Sequence, residues 1–172
     1  ALIGLLNGLG VALLKVPPLV MTLGMAGVVQ GLVLAITQGI LEGDTAPMMG
    51  KYISSPLLIG IPGVIFIWFF LAVLMWLLLE RSTYGKQLFG IGVNRTTSRL
   101  SGVRVPIVVI VTYSLSGLLA AFGGFMLLGF TQTVFLNLGG PFLFPTVASV
   151  VVGGTALAGG KGSYWGTMAG AL

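Results

Sequence analysis

The sequence predicts an all-α fold, a polytopic bundle of membrane helices, on three observations. Hydrophobic residues make up 56% of the 172 residues and charged residues only 6%, whereas a soluble domain carries roughly 25% charged residues. Several uncharged runs approach the roughly 20 residues that a helix needs to cross hydrocarbon. A basic segment, residues 80–104, lies between two such runs. No soluble surface can be built from this composition.

Six apolar segments are predicted as spans of one transmembrane domain. Proline is tolerated in a first helical turn, so Pro17-Pro18 marks the start of the second segment. The end segments are short, and we expect the chain to be a fragment of a longer domain, incomplete at both ends. Glycines and prolines in 129–145 precede another short segment, which predicts a broken or re-entrant helix near 129–160. The predicted spans are 1–14, 19–37, 57–79, 105–128, 146–158 and 163–172.

The charge distribution predicts the orientation of these spans. Lysine and arginine favour cytoplasmic loops, and residues 80–104 hold five of the eight basic residues. With this loop inside, alternation places seven of the eight inside, and Glu42 and Asp44 outside. We therefore expect a multi-pass protein of the bacterial inner membrane with loop 80–104 in the cytoplasm.

The residue inventory gives little support for catalysis. The sequence has no histidine or cysteine, and its acids are Glu42, Asp44 and Glu80. We expect no catalytic residue, no metal site and no cofactor. Residues 159–163, GGKGS, lack the spacing of a phosphate-binding loop, so any nucleotide is bound by another polypeptide. The pattern Asn94-Arg95-Thr96 matches a glycosylation acceptor. We interpret the match as a coincidence, because a cytoplasmic loop is not reached by the transferase.

Ionisable residues are absent from the predicted spans, although proton-driven transporters commonly carry them there. Energy is therefore expected to enter from outside the membrane domain. The basic residues lie between apolar runs and form no stripe for nucleic acid, so the expected surroundings are the lipid bilayer.

Glycines four residues apart predict close helix contacts, because they share one helix face. The pairs chosen as packing sites are Gly27/Gly31 and Gly162/Gly166. The same spacing occurs at Gly4/Gly8 and Gly166/Gly170.

Three stretches resemble the permease subunits of bacterial ABC importers. They are the loop 84–94 with 99–103, the helix start at 16–25, and the glycine-rich segment 151–163. The most similar branch handles monosaccharides such as ribose, xylose or galactose, with autoinducer-2 importers close by. Branched-chain amino-acid permeases share the fold. The family's loop often has two alanines where this chain has Thr96-Thr97.

The resemblance implies a core of two permease subunits, identical or different. It also implies two cytoplasmic ATPase subunits that use the ATP, and a periplasmic solute-binding protein. The alternatives are an ion-coupled secondary transporter or channel and, least supported, an intramembrane enzyme; a branched-chain amino acid is the alternative substrate.

Residues 95–102 are predicted to form a short helix along the membrane surface, with Gly102 just past its end. The resemblance implies that this helix fits a groove on the ATPase. Leu100 is then the apolar anchor, with Arg95 and Arg99 at the rim. The alternative is that the arginines only set orientation and contact anionic lipid.

Overall fold

The computed structural model of the protein describes residues 1–39, 56–58, 61–156 and 159–171. Most of this part of the chain is helical, which confirms the all-α class. A short antiparallel pairing joins β1 (Pro56–Leu58) to β2 (Ile61–Pro62). The helices are α1 (Leu2–Ala12), α2 (Pro18–Ile36), α3 (Gly63–Trp76), α4 (Thr83–Val93), α5 (Arg95–Leu100), α6 (Val105–Thr131), α7 (Leu143–Val152) and α8 (Tyr164–Gly170).

Among the described residues, three helices are long and apolar enough to cross a membrane: Pro18–Ile36, Gly63–Arg81 and Val105–Thr131. The second comprises α3 and a π-helical turn, Leu77–Arg81. A helix of 19 residues is about 28 Å long at 1.5 Å per residue, close to the thickness of bilayer hydrocarbon. These helices account for the apolar composition and fit a membrane protein.

Prolines explain where two helix starts differ from the predicted spans. The helix predicted from residue 57 begins at Gly63, because Pro62 disfavours helical backbone at the residue before it. Helix α7 begins at Leu143, before the predicted 146, with Pro145 in its first turn, where proline costs no hydrogen bond.

The predicted break near 129–160 is present. Helix α6 ends at Thr131, a 3₁₀ turn spans Gly140–Phe142, and α7 stops after ten residues. The predicted outer loop with Glu42 and Asp44, and residues 157–158, lie outside the described residues.

The chain divides into two compact units. The first comprises Ala1–Phe69 and Val109–Leu138, and the second Phe70–Val108 and Gly139–Leu172. In the first unit α1 packs on α2, and its glycines approach α6 closely. A Cβ built on Gly8 would lie 2.8 Å from the Ile110 Cα, so only glycine allows this spacing.

The second unit contains a hairpin of α7 and α8, hereafter the α7–α8 hairpin. A Cβ on Gly153 would lie 2.5 Å from the Thr167 Cα, so the two backbones are in contact. Ser163 caps α8, because its Oγ accepts a hydrogen bond from Gly166 N at 3.2 Å. Trp76 and Trp165 add a tilted aromatic contact with ring centroids 6.0 Å apart.

Large apolar side chains cover much of the exterior. Helix α2 has no buried residue within the described chain, and exposed apolar side chains recur along α3 and α6. A soluble monomer rarely exposes such continuous apolar surface. The exposed helices therefore fit contact with lipid or with other membrane helices.

Candidate functional site

The candidate site is the basic loop 80–104, which the structure resolves into two short helices. Helix α4 is capped by Ser82, whose Oγ accepts a hydrogen bond from Gly85 N at 3.1 Å. Such a cap satisfies an amide that has no partner within the helix. Gly85 lies against the Leu79 backbone so closely that a Cβ would overlap it. The loop is thus folded directly onto the end of the apolar helix before it.

Asn94 separates α4 from α5 and fixes both helices. Its backbone N–H donates a hydrogen bond to Gly90 O at 3.0 Å, at the end of α4. Its Oδ1 accepts from Thr96 N at 2.9 Å and from Thr97 N at 3.1 Å, capping α5. Because one residue ends the first helix and caps the second, the angle between the two helices is defined locally.

The expected helix at 95–102 is observed as Arg95–Leu100, and Gly102 follows it with φ +84°. Gly102 N donates to Arg99 O at 3.1 Å, and Val103 N donates to Ser98 O at 3.1 Å. This pair of bonds is a Schellman motif, whose left-handed residue favours glycine. The prediction that Gly102 lies just past the end of the helix is therefore confirmed.

Helix α5 presents one apolar side chain among cations. Leu100 is 84% exposed, and Arg95 and Arg99, one turn apart, are exposed as well. Ser98 is buried, and a Cβ on Gly90 would lie 3.4 Å from its Oγ. One face of the short helix therefore packs on α4, while Leu100 and the two arginines remain accessible.

The electrostatic character of the loop is cationic. Residues 81–104 contain five basic residues and no acid. Glu80 precedes them and accepts a hydrogen bond from Trp76 Nε1 at 2.8 Å. The Arg81 guanidinium stacks over the same indole at 5.6 Å, a cation–π contact. This cluster anchors the start of the loop, Glu80 and Arg81, to Trp76 at the end of α3.

A groove of about 700 Å³ lies between α4 and α5. Its walls are mostly hydroxyl and amide side chains with one cation, from Thr83, Lys86, Gln87, Gly90, Val93, Asn94, Thr97, Ser98, Ser101 and Val103. Leu100, Arg95 and Arg99 are absent from this lining and point to a different surface. The loop thus has a groove between its two helices and, separately, an exposed apolar tip.

The four glycines predicted as packing sites fall into two groups. Gly166 approaches the Gly153 backbone, and a Cβ on Gly162 would lie 3.2 Å from the Thr155 Cγ2. On Gly27 and Gly31 of α2, a Cβ would meet none of the described residues within 4 Å. The packing role of these residues, like the coupling role of α5, stays a prediction.

Three features of the site are not predicted from the sequence. Helix α4 lies where only a loop is predicted. Asn94 was considered as a glycosylation pattern, although asparagine before a polar helical turn is also a cap signal. Gly159 and Gly160, which belong to the glycine-rich segment 151–163 and lack the spacing of a phosphate-binding loop, contact the end of α4. No local signal in the sequence links the two segments.

The fold and site together define a class: an integral membrane protein whose apolar helices are joined by a folded, cationic loop. The chain belongs to the family described as "Branched-chain amino acid transport system / permease component", which matches residues 1–172.

Curated relatives align along nearly the whole chain. It is 34% identical over 171 residues to the "Autoinducer 2 import system permease protein LsrC" of Shigella flexneri, covering 99% of this chain and 49% of that protein. It is also 34% identical over 177 residues to the "Ribose import permease protein RbsC" of Escherichia coli (strain K12), covering 100% and 54%. The chain thus spans about half the length of these relatives. No solved structure gives a significant match.

These comparisons confirm the resemblance read from loop 84–94 and the glycine-rich segment 151–163. The family is one of transport permeases, and the two relatives are import permeases for autoinducer-2 and ribose. Membership in a membrane permease family agrees with the three candidate spans.

Proposed function

We propose that the chain forms part of the membrane-spanning permease subunit of an ABC importer. The subunit moves a monosaccharide or a similar small polar solute across the bacterial inner membrane. The observation that carries this proposal is the alignment of the whole chain with import permeases named for ribose and autoinducer-2. The family description names branched-chain amino acids, so a branched-chain amino acid is the alternative substrate.

Energy is proposed to come from a separate ATPase. Aspartate and histidine are absent from Pro18–Ile36, Gly63–Arg81 and Val105–Thr131, and the one glutamate in these spans, Glu80, lies in the last turn of Gly63–Arg81. A proton-coupled carrier commonly has such groups inside its helices. The alternative is a secondary transporter or channel, because backbone carbonyls at a broken helix can bind an ion without acidic side chains.

The proposed partners follow from this assignment. A second permease subunit, identical or different, completes the membrane pore, and a periplasmic solute-binding protein delivers the solute. Two cytoplasmic ATPase subunits hydrolyse the ATP. The chain itself performs no catalysis and carries no cofactor or metal.

Helix α5 is the proposed contact with the ATPase. An apolar residue that is 84% exposed at the tip of a folded loop costs solvation free energy. Leu100 is therefore suited to fill an apolar pocket on a partner, with Arg95 and Arg99 at the rim. Buried apolar anchors dominate such interfaces, whereas rim charges contribute mainly to steering.

The test is ATP-dependent uptake by the reconstituted transporter, with ribose as the probe. Leu100→Asp and Leu100→Ser should leave the permease inserted but lower ATPase co-purification about thirtyfold, since losing a hot spot costs about 2 kcal/mol. Uptake should fall in parallel. Gly102→Val should act in the same direction, because a β-branched residue is strained at φ +84°.

Thr96→Asp is the matched control, because it adds the same charge to the first turn of the same helix, where an acid is tolerated. It should retain the ATPase and uptake. Normal ATPase association and normal uptake in the Leu100 variants would make the loop a topology determinant only. Uptake driven by an ion gradient without ATP would favour the secondary transporter.

Sidedness has its own test, because the 172 residues contain no cysteine. Single cysteines replacing Glu42 or Asp44 should react with an impermeant thiol reagent in cells whose outer membrane is permeabilised. A cysteine replacing Thr97, which is exposed on α5, should react only after the inner membrane is opened. The reverse pattern overturns the proposed orientation.

A further inference from the structure

The end of α4 rests on a turn of glycines, Gly159–Gly162, hereafter the glycine turn. A Cβ on Gly92 would lie 2.6 Å from the Gly160 N, and a Cβ on Gly160 would lie 3.1 Å from the Val93 Cα. Real Cβ atoms do not approach other atoms as closely as the first distance. At Gly92 the contact is therefore backbone against backbone, and at Gly160 the Val93 Cγ2 also lies close, 3.0 Å from the position of a Cβ.

Both sides of this contact require glycine for different reasons. Gly160 has φ +78°, a conformation that L side chains rarely adopt. Gly92 lies in a helix, where glycine is otherwise unfavourable by about 0.5–1 kcal/mol relative to alanine. Gly92 lies at the point of closest approach, where a larger residue would push α4 away from the turn.

The glycine turn is joined to the α7–α8 hairpin. Ala156 N donates to Lys161 O at 2.9 Å, and the hydroxyls of Thr155 and Thr167 share a hydrogen bond of 3.3 Å. A Cβ on Gly162 would lie 3.3 Å from the Thr155 Oγ1 and 3.6 Å from the Phe89 Cε1. The turn thus contacts α4 on one side and the hairpin on the other.

On its other side α4 is joined to α5. Asn94 ends α4 and caps α5, as described above, and Gly90 lies against the buried Ser98. A continuous series of contacts therefore runs from α5 through α4 and the glycine turn to the hairpin. Close-packed contacts of this kind have low compressibility and transmit displacement.

We propose that Gly92 and Gly160 are positioning residues, which hold the end of α4 on the glycine turn as one rigid unit. Displacement of α5 by its partner is then passed to the α7–α8 hairpin. This inference rests on the proposed function, because it assumes that α5 docks an ATPase. It adds the route by which that docking reaches the membrane helices.

Gly92→Ala in the complete transporter tests the contact, because the added methyl must push α4 away from Gly160. ATPase co-purification and ATP hydrolysis should stay normal, while ribose uptake per ATP hydrolysed falls about tenfold, the size of a typical coupling between sites. Gly124→Ala is the control: it makes the same change within helix α6, where a Cβ would meet none of the described residues within 4 Å.

Equal uptake per ATP in Gly92→Ala and Gly124→Ala would overturn the proposal. If Leu100→Asp still loses the ATPase in that case, the proposed function stands and only the route fails. If Leu100→Asp keeps the ATPase and uptake, the docking assignment itself fails.

A second measurement serves if Gly92→Ala does not insert. Spin labels on cysteines replacing the exposed Lys86 and Lys161 report the distance between α4 and the glycine turn. In the complete transporter, this distance should be the same with and without ATP. A shift of the distance on ATP binding would show that α4 and the turn move separately, and would contradict the rigid unit.

Discussion

Helix α2 and the α7–α8 hairpin contain glycines at the same spacing but in opposite surroundings. Gly27 and Gly31 on α2, and Gly166 and Gly170 on α8, are each four residues apart. A Cβ on either α2 glycine would meet none of the described residues within 4 Å. On α8 both glycines lie against the backbone of α7, at Gly153 and Ser149.

Glycines four residues apart mark one face of a helix, but their spacing does not identify what packs against that face. A glycine pair permits close approach, yet a contact also needs a second helix within reach. Helix α8 follows α7 after a turn and returns along it, so its partner is local in the chain. For α2, any helix on the glycine face lies beyond the described residues.

The largest loss of stability is expected from a substitution at Gly166. A Cβ there would overlap the Gly153 carbonyl, so Gly166→Leu must separate α7 from α8. Overpacking typically costs about 1–3 kcal/mol and occasionally more. We expect a clear loss of thermal stability in the detergent-purified transporter, measured by its melting temperature.

Gly124→Leu on α6 is the matched control for Gly166→Leu, because a Cβ there would meet none of the described residues. It should shift the melting temperature far less. Equal shifts would mean that adding a leucine, and not the hairpin contact, destabilises the protein.

The fold could be predicted from the sequence where the signal is local. The all-α class, the long spans of α2 and α6 and the break after Thr131 follow from runs of apolar residues and their interruptions. Helix α5 was predictable because Gly102 marks its end. These features depend on residues within a few positions of one another.

The remaining features depend on contacts between distant segments. Helix α4 contains Gly85, Gly90 and Gly92 among its 11 residues, and such a composition disfavours a helix. Packing on Leu79, Ser98 and Gly160 overrides that preference, and composition does not reveal these partners. The functional role of α5, in contrast, was suggested by resemblance and remains a prediction.

The smallest expected effect concerns α2. The prediction from the sequence is that Gly27 and Gly31 pack against a neighbouring helix, which must then be supplied by parts of the transporter beyond the described residues. Gly27→Leu with Gly31→Leu should therefore lower the melting temperature of the assembled transporter, but by less than Gly166→Leu. Gly166→Leu disrupts a backbone contact between α7 and α8, whereas a separate helix packed against α2 can shift to accommodate the leucines.

The alanine pair at the same positions decides between a packed face and a lipid-facing one. At an open helical position, alanine in place of glycine stabilises by about 0.5–1 kcal/mol per residue. If α2 faces lipid, Gly27→Ala with Gly31→Ala should raise the melting temperature, and the leucine pair should not lower it. If another helix lies on this face, both pairs should lower it, since even one added methyl separates backbones in contact. A neutral leucine pair would therefore contradict the packing prediction and leave the spacing of Gly27 and Gly31 without a structural role.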